Sequence, residues 1–281
     1  MSLRTPLSSQ LKSTIRNRVI ALFNDTSHGE APVVRSREAL FAPGSVVWRV
    51  HGDVGSMMVG GVTSLLLQML HPAVLAGVWD HSNFRQDMHG RLRRTARFIA
   101  RTTYGEKDAA MAAIATVRRV HDRVAGTLPD GTPYHANDPA LLAWVHVTET
   151  SSFLDAWIRY GEPLMALADQ DRYFAQMAQV GEALGADPVP RSRAEARRII
   201  EAMRPQLQVD ARTREVSDLI LQGRGAPQVG EVPRKLAMQA AIDLLPGWAR
   251  TMHGFAISPL ERPLVRAGTY GVAQTLRWAF R

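Results

Sequence analysis

The chain has no cysteine in its 281 residues. That excludes a thiolate-ligated haem, a cysteine-held iron–sulfur cluster, a zinc finger and a catalytic thiol. It fits a reducing cytoplasm, as it also fits many exported proteins. No G-x-G-x-x-G, Walker A or G-x-S-x-G motif is present, and Gly52-Asp53-Val54-Gly55 lacks the flanking strand–helix pattern of a phosphate loop. Met1 to Glu30 is polar and has no apolar run of roughly 7–15 residues to serve as a secretory core. Lysine is scarce beside arginine, although the formal charge is +8 from 34 basic and 26 acidic residues. The arginines are dispersed without interleaved stacking aromatics, so no nucleic-acid partner is expected. An anionic membrane surface, an acidic cofactor or an arginine-rich proteome each accounts for the charge.

Charge itself is missing from Val54 to Trp79, a stretch long enough on paper to cross a bilayer. Gly60-Gly61, Gln68 and above all His71-Pro72 interrupt it, because proline removes a backbone donor and disfavours helix just before it. Two buried pieces, Val54 to Leu70 and Pro72 to Trp79, are expected rather than a span.

Most of the remainder reads as helix: Ser9 to Phe23, a brief Arg37 to Phe41, Gly90 to Tyr104, and Lys107 to Ala125. Asp138 and Pro139 are a helix cap and first helical position, opening a helix that runs to Tyr160. Asp169 to Leu184, a Ser192–Glu195 capping box leading to Met203, and Arg212 to Leu221 follow. Gln222 to Pro233 reads as a loop or lid, helices resume at Arg234, and a basic helix from Pro259 carries Arg262, Arg266, Arg277 and Arg281. No strand and no repeat is evident. The fold class is all-α, a single globular domain, divided into an N-terminal extension over 1–36, a catalytic core over 37–221, and a lid with C-terminal helices over 222–281.

Two neighbouring helices carry the chemistry. Arg91, Arg94, Thr95 and Phe98 recur at i, i+3, i+4 and i+7 on one face, and arginine forks match carboxylates bidentately. Arg93, Arg97 and Arg101 form a separate row that reads as a solvated face. His121 follows Thr95 by 26 residues and lies in the apolar stripe Ala110, Ala113, Ile114, Val117, Val120 and Val124. An imidazole there is either a satisfied core histidine or a metal ligand. Small alanines upstream of it allow either a macrocycle or another helix to approach closely. His146 shares a face with Leu142, Glu149 and Phe153; it is a rival ligand, or part of a buried hydrogen-bonded pair with Glu149. His71 either caps the helix after the break or serves as a general acid/base in a cavity.

In order along the chain stand L-x-x-x-x-H-P (Leu66, His71, Pro72), D-H-S-x-F (Asp80 to Phe84), and R-x-x-R-T (Arg91, Arg94, Thr95). They are followed by V-R-x-x-H-x-x-V (Val117, Arg118, His121, Val124), P-D-G-x-P-Y-x-A-x-D-P (Pro129 to Pro139) and W-V-H (Trp144 to His146). This series resembles the superfamily of the mycophenolate-pathway oxygenases and the rubber oxygenases, or latex-clearing proteins. The resemblance implies a globin-like pocket for haem b with His121 as the proximal iron ligand and dioxygen as co-substrate. It places Arg91, Arg94 and Thr95 in the pocket near the cofactor, while the reading of the residues themselves adds His146 as a lining residue and His71 as a catalytic candidate. The latex-clearing lysine that can cap the distal iron position is Arg94 here, and a guanidinium ligates metals poorly. The acidic base of rubber cleavage has no clear counterpart, so rubber itself is not carried over.

The expected function is therefore a haem b-dependent oxygenase acting on a small lipophilic, isoprenoid-like substrate by oxidative cleavage of a carbon–carbon double bond. Alternatives are a non-catalytic carrier of haem or a hydrophobic ligand, and a non-haem iron oxidase. A cytoplasmic location with peripheral membrane contact through the basic C-terminal helix completes the expectation. The oligomeric state has no signal in the sequence.

Overall fold

The charge-free stretch sets the centre of the molecule. In the computed structural model, which describes residues 7–25, 29–223 and 230–281, it forms α3 (Val54–Gln68) and α4 (Pro72–His81). Asp53 caps α3 by accepting the Ser56 N–H at 2.8 Å. The His71 ring caps α4 by accepting the Ala73 N–H at 3.3 Å, and Pro72 occupies the first helical position, where its missing donor is harmless. The two helices meet at 103°. The break expected at His71-Pro72 is therefore real, and among the described residues no single helix is long and apolar enough to cross a membrane.

Helix α3 packs along α7 (Pro139–Tyr160), whose start is held by Asp138 accepting from Ala140 and Leu141 at 2.8 and 3.2 Å. The two backbones come close at Gly60. A Cβ there would stand 2.8 Å from the Ser152 carbonyl oxygen and 3.0 Å from Phe153, so only glycine lets the backbones touch. A methyl group at that point would cost about 1–3 kcal/mol by overpacking. Leu66, Leu70, Trp144, Val147 and Leu154 are buried in this seam, each aliphatic side chain contributing roughly 1.5–3 kcal/mol.

Around the pair lie α2 (Val46–His51), α5 (Met88–Tyr104), α6 (Lys107–His121), α8 (Leu167–Leu184), α9 (Arg193–Met203) and α10 (Ala211–Gln222). Helices α11 (Glu231–Leu244) and α13 (Glu261–Phe280) also pack on α3 and α7, with α12 (Gly247–His253) between them in the chain. Helix α1 (Leu7–Phe23) folds back onto α13 and α5. The chain is a single all-α domain, as its periodicity indicates.

Several local expectations are corrected. Residues 37–41 are not helical; Ala39 instead bridges to Glu106, and the helix begins after Pro43-Gly44, with Ser45 capping α2. Helix α6 stops at His121, and the next residues enter a two-stranded hairpin, β1 (Ala125–Thr127) against β2 (Pro133–His135), with Gly126 opposite Tyr134. Ser192 accepts the Glu195 N–H at 3.2 Å, but the Glu195 carboxylate turns to the Arg191 N–H at 2.7 Å, one residue short of a reciprocal box. The reciprocal box is Asp210 with Thr213, opening α10. Of the lid expected over Gln222 to Pro233, residues 224–229 lie outside the described residues. Gln222 ends α10 and Glu231 to Pro233 already belong to α11, so the helix resumes before Arg234.

The basic α13 is fastened inward. Arg262 and Arg266 converge with Arg159 of α7 on the wholly buried carboxylate of Asp243, at 3.5, 2.7 and 2.9 Å. Arg277 binds Asp53 at 2.6 Å and the Tyr160 carbonyl at 2.6 Å.

Candidate active site

The apolar stripe of α6 divides into two halves. Ala110, Ala113 and Ile114 are buried, whereas Val117, His121 and Val124 are only partly covered and Val120 is 57% exposed. These last four line a cavity of about 2190 Å³, bounded mainly by α1, α3, α5, α6, α7, α11 and α13. That is larger than the ~300–1,000 Å³ usual for a drug-sized ligand. Its walls are predominantly apolar.

Arg91, Arg94, Thr95, His121 and His146 all line this cavity, and His71 does not. The His71 ring caps α4 and lies 3.4 Å from Gln206 Oε1, the contacts of the capping alternative. Arg91 is partly buried and donates to Ser82 Oγ at 2.8 Å, but no carboxylate among the described residues pairs with it. Burial, and then the charge of Arg94, push its pKa down to about 10, so it stays cationic at neutral pH. Arg94 is 62% exposed and pairs with Asp87 at 3.3 Å; Thr95 Oγ1 donates back to the Arg91 carbonyl at 3.2 Å. Arg93 and Arg97 are not a solvated face. They bind Asp25 (2.7 Å) and Glu30 (3.7 Å), drawing the segment after α1 onto α5.

Burial lowers the pKa of His121, and His135 and then Arg91 add smaller effects of the same sign. Asn137, beside it, donates to the Arg118 carbonyl at 3.0 Å and to Asp122 at 2.7 Å. His121 Nδ1 and Asn137 Oδ1 are both buried, and neither makes a hydrogen bond of ordinary geometry. The side chains are nonetheless close enough for Asn137 to draw the imidazole pKa upward against burial. An acceptor beside one nitrogen of an imidazole can hold a ring proton there and free the other nitrogen for a metal.

His146 rests against α8, where a Cβ on Gly181 would lie 3.0 Å from the ring. Its Nε2 is buried without a partner, and no hydrogen bond joins it to Glu149, contrary to expectation. Burial holds its pKa at about 4. His51, which has no sequence context, is a core residue: Nδ1 meets Thr103 Oγ1 and Nε2 meets the Tyr173 hydroxyl, each at 2.8 Å. Burial takes its pKa to about 3. Among the described residues no three of His, Cys, Asp and Glu gather as a metal-holding group. A non-haem iron held by side chains alone therefore lacks a donor set, whereas a cofactor needing one imidazole does not.

These histidines set a pH dependence. The folded pKa values of His51 and His146 lie below the ordinary 6.5. The stability gained by keeping them neutral is thus complete above that value and drains as pH falls. Glu149 acts in the opposite sense, its contribution being complete below 4.5 and lost as pH rises through about 7. With two imidazoles against one carboxyl, the urea midpoint is expected to be lower at about pH 5 than at about pH 7. A midpoint that did not fall would contradict the neutral buried rings.

The sequence matches the family described as ER-bound oxygenase mpaB/B′/Rubber oxygenase, catalytic domain, over residues 48–278. The chain belongs to this family. It is an oxygenase catalytic domain, and the match runs from α2 to α13, including the residues beyond 221. No curated protein and no solved structure matched it. Within the oxygenase domain, the cavity draws its walls from across the matched region, and α1 adds Val19 and Leu22 from outside it.

Proposed function

We propose that this oxygenase domain holds haem b in the α6-lined cavity and uses dioxygen on a lipophilic, isoprenoid-like substrate, cleaving a carbon–carbon double bond. The observation that carries the reading is the partly buried, carboxylate-free Arg91 guanidinium, which lines the same apolar cavity as His121. A buried cation without a counter-ion is costly, and an anionic group entering the cavity removes that cost. Propionates match the guanidinium fork. When bound, haem b supplies an iron that binds dioxygen.

The protein residues divide the remaining tasks. His121 would hold the iron through a ring nitrogen, and Asn137 beside it would help to orient the imidazole. Arg91 anchors carboxylates, and Arg94 can join it by leaving its single exposed contact with Asp87. The apolar walls exclude water, and a cavity of this size leaves room for a long apolar molecule beside the cofactor.

Absorption of protein expressed with added haem tests the reading, followed by oxygen uptake with an isoprenoid. A Soret band with substrate-dependent uptake supports it; a colourless protein overturns it. For Arg91→Ala, loss of charge-assisted bonds worth about 1.5–3 kcal/mol should weaken haem binding roughly 10–100-fold in titrations of the cofactor-free protein. Unchanged affinity would show that the propionates lie elsewhere.

A further inference from the structure

Two carboxylates line the cavity, and they differ in their surroundings. Glu231 is paired with Lys235 at 2.6 Å, while Glu149 makes no hydrogen bond and no ion pair among the described residues. Glu149 stands on α7 with His146 three residues before it and Phe153 four after, and both of these also line the cavity. From α8 the phenol of Tyr173 faces it closely enough to feel its charge. Behind Tyr173 stand the neutral His51 of α2 and Thr103 of α5, joined by the two 2.8 Å hydrogen bonds already described. Helix α3 carries no ionisable side chain from Val54 to Gln68. None of these elements turns a cation towards Glu149.

A structural carboxyl in such a place is ordinarily satisfied by donors, because leaving it bare is costly. Glu149 instead opens into the chamber. In its neutral form a carboxyl is an O–H donor. We infer that Glu149 is the proton-holding group of this cavity, lending its O–H to an oxygen atom of the substrate as it is oxygenated and recovering the proton before product leaves.

The inference rests on the proposed oxygenation, and the balance of that reaction suits it. One double bond and one dioxygen give two carbonyl groups: the C=C and O=O bonds break, two C=O bonds form, carbon is oxidised and dioxygen reduced. No external electron or proton is consumed, so a proton lent must be returned to the lender. Burial alone pushes the pKa of Glu149 up to about 7, and both forms are populated near neutrality.

The test uses the full chain with E149Q and E149D. In carbon-13 spectra of glutamate-labelled protein, one carboxyl should titrate near neutrality and vanish in E149Q. In haem-loaded protein, E149Q should lower kcat roughly 10²–10⁴-fold and erase the limb of the pH profile near neutrality. KM, the Soret band and helical content should stay unchanged, and E149D should restore part of the rate. An E149Q enzyme within about twofold of wild type with an unaltered profile overturns the inference. So does a Glu149 carboxyl titrating in the ordinary range. A colourless wild type defeats the haem reading, which is a different result from a coloured enzyme whose turnover ignores E149Q.

Discussion

His121→Ala should abolish the Soret band of protein expressed with added haem while the far-ultraviolet helical signal persists. The imidazole makes no hydrogen bond of ordinary geometry, sits in the last residue of α6, and belongs to the half of the stripe facing the cavity. Removing it takes nothing from the seam between α3 and α7, so folding is little affected. Haem affinity should fall by more than the ~10–100-fold that loss of an outer partner of a metal ligand costs. His146→Ala is the control, because that ring lines the same cavity and also lacks a partner at Nε2. Haem retained in His121→Ala and lost in His146→Ala would move the ligand to α7.

The largest expected loss of stability is at Asp243. Its carboxylate is completely buried and gathers Arg159, Arg262 and Arg266 from two other helices. Removing one partner of a buried pair costs about 3–5 kcal/mol. The three guanidinium groups are about a third to a half exposed and keep some hydration, which favours the lower end. Asp243→Ala should therefore lose ~3 kcal/mol of the 5–15 kcal/mol typical of a folded domain. Urea unfolding reads this directly. Asp243→Asn, which keeps an acceptor of the same shape, should lose less; equal losses would mean that charge is not what the arginines require.

Elements with local causes were legible in the sequence. Asp138-Pro139 starts α7, and His71-Pro72 breaks the apolar stretch, because caps and proline act within a few residues. The period of α6 identified the right stripe but could not separate the half that packs from the half that lines a cavity, since both need apolar side chains. The hairpin was missed because strands of three residues carry too little alternation to register. Contacts between distant residues left no signal at all. His51 finds Tyr173 122 positions away, Arg93 finds Asp25 68 positions back, and the isolation of Glu149 depends on which helices surround it. Of the candidate site, five of six residues line one cavity, and the sixth, His71, caps α4 through the local contact that its place before Pro72 suggests.

One carboxylate joins the two ends of the matched region. Asp53 Oδ1 holds the Ser56 N–H and hydroxyl at the start of α3, and Oδ2 holds Arg277 in the last turn of α13. Anything that loosens the final turn of the chain thereby withdraws a counter-charge from the residue that launches the central helix. Damage near position 277 would be felt first as fraying at position 54, on the wall of the chamber.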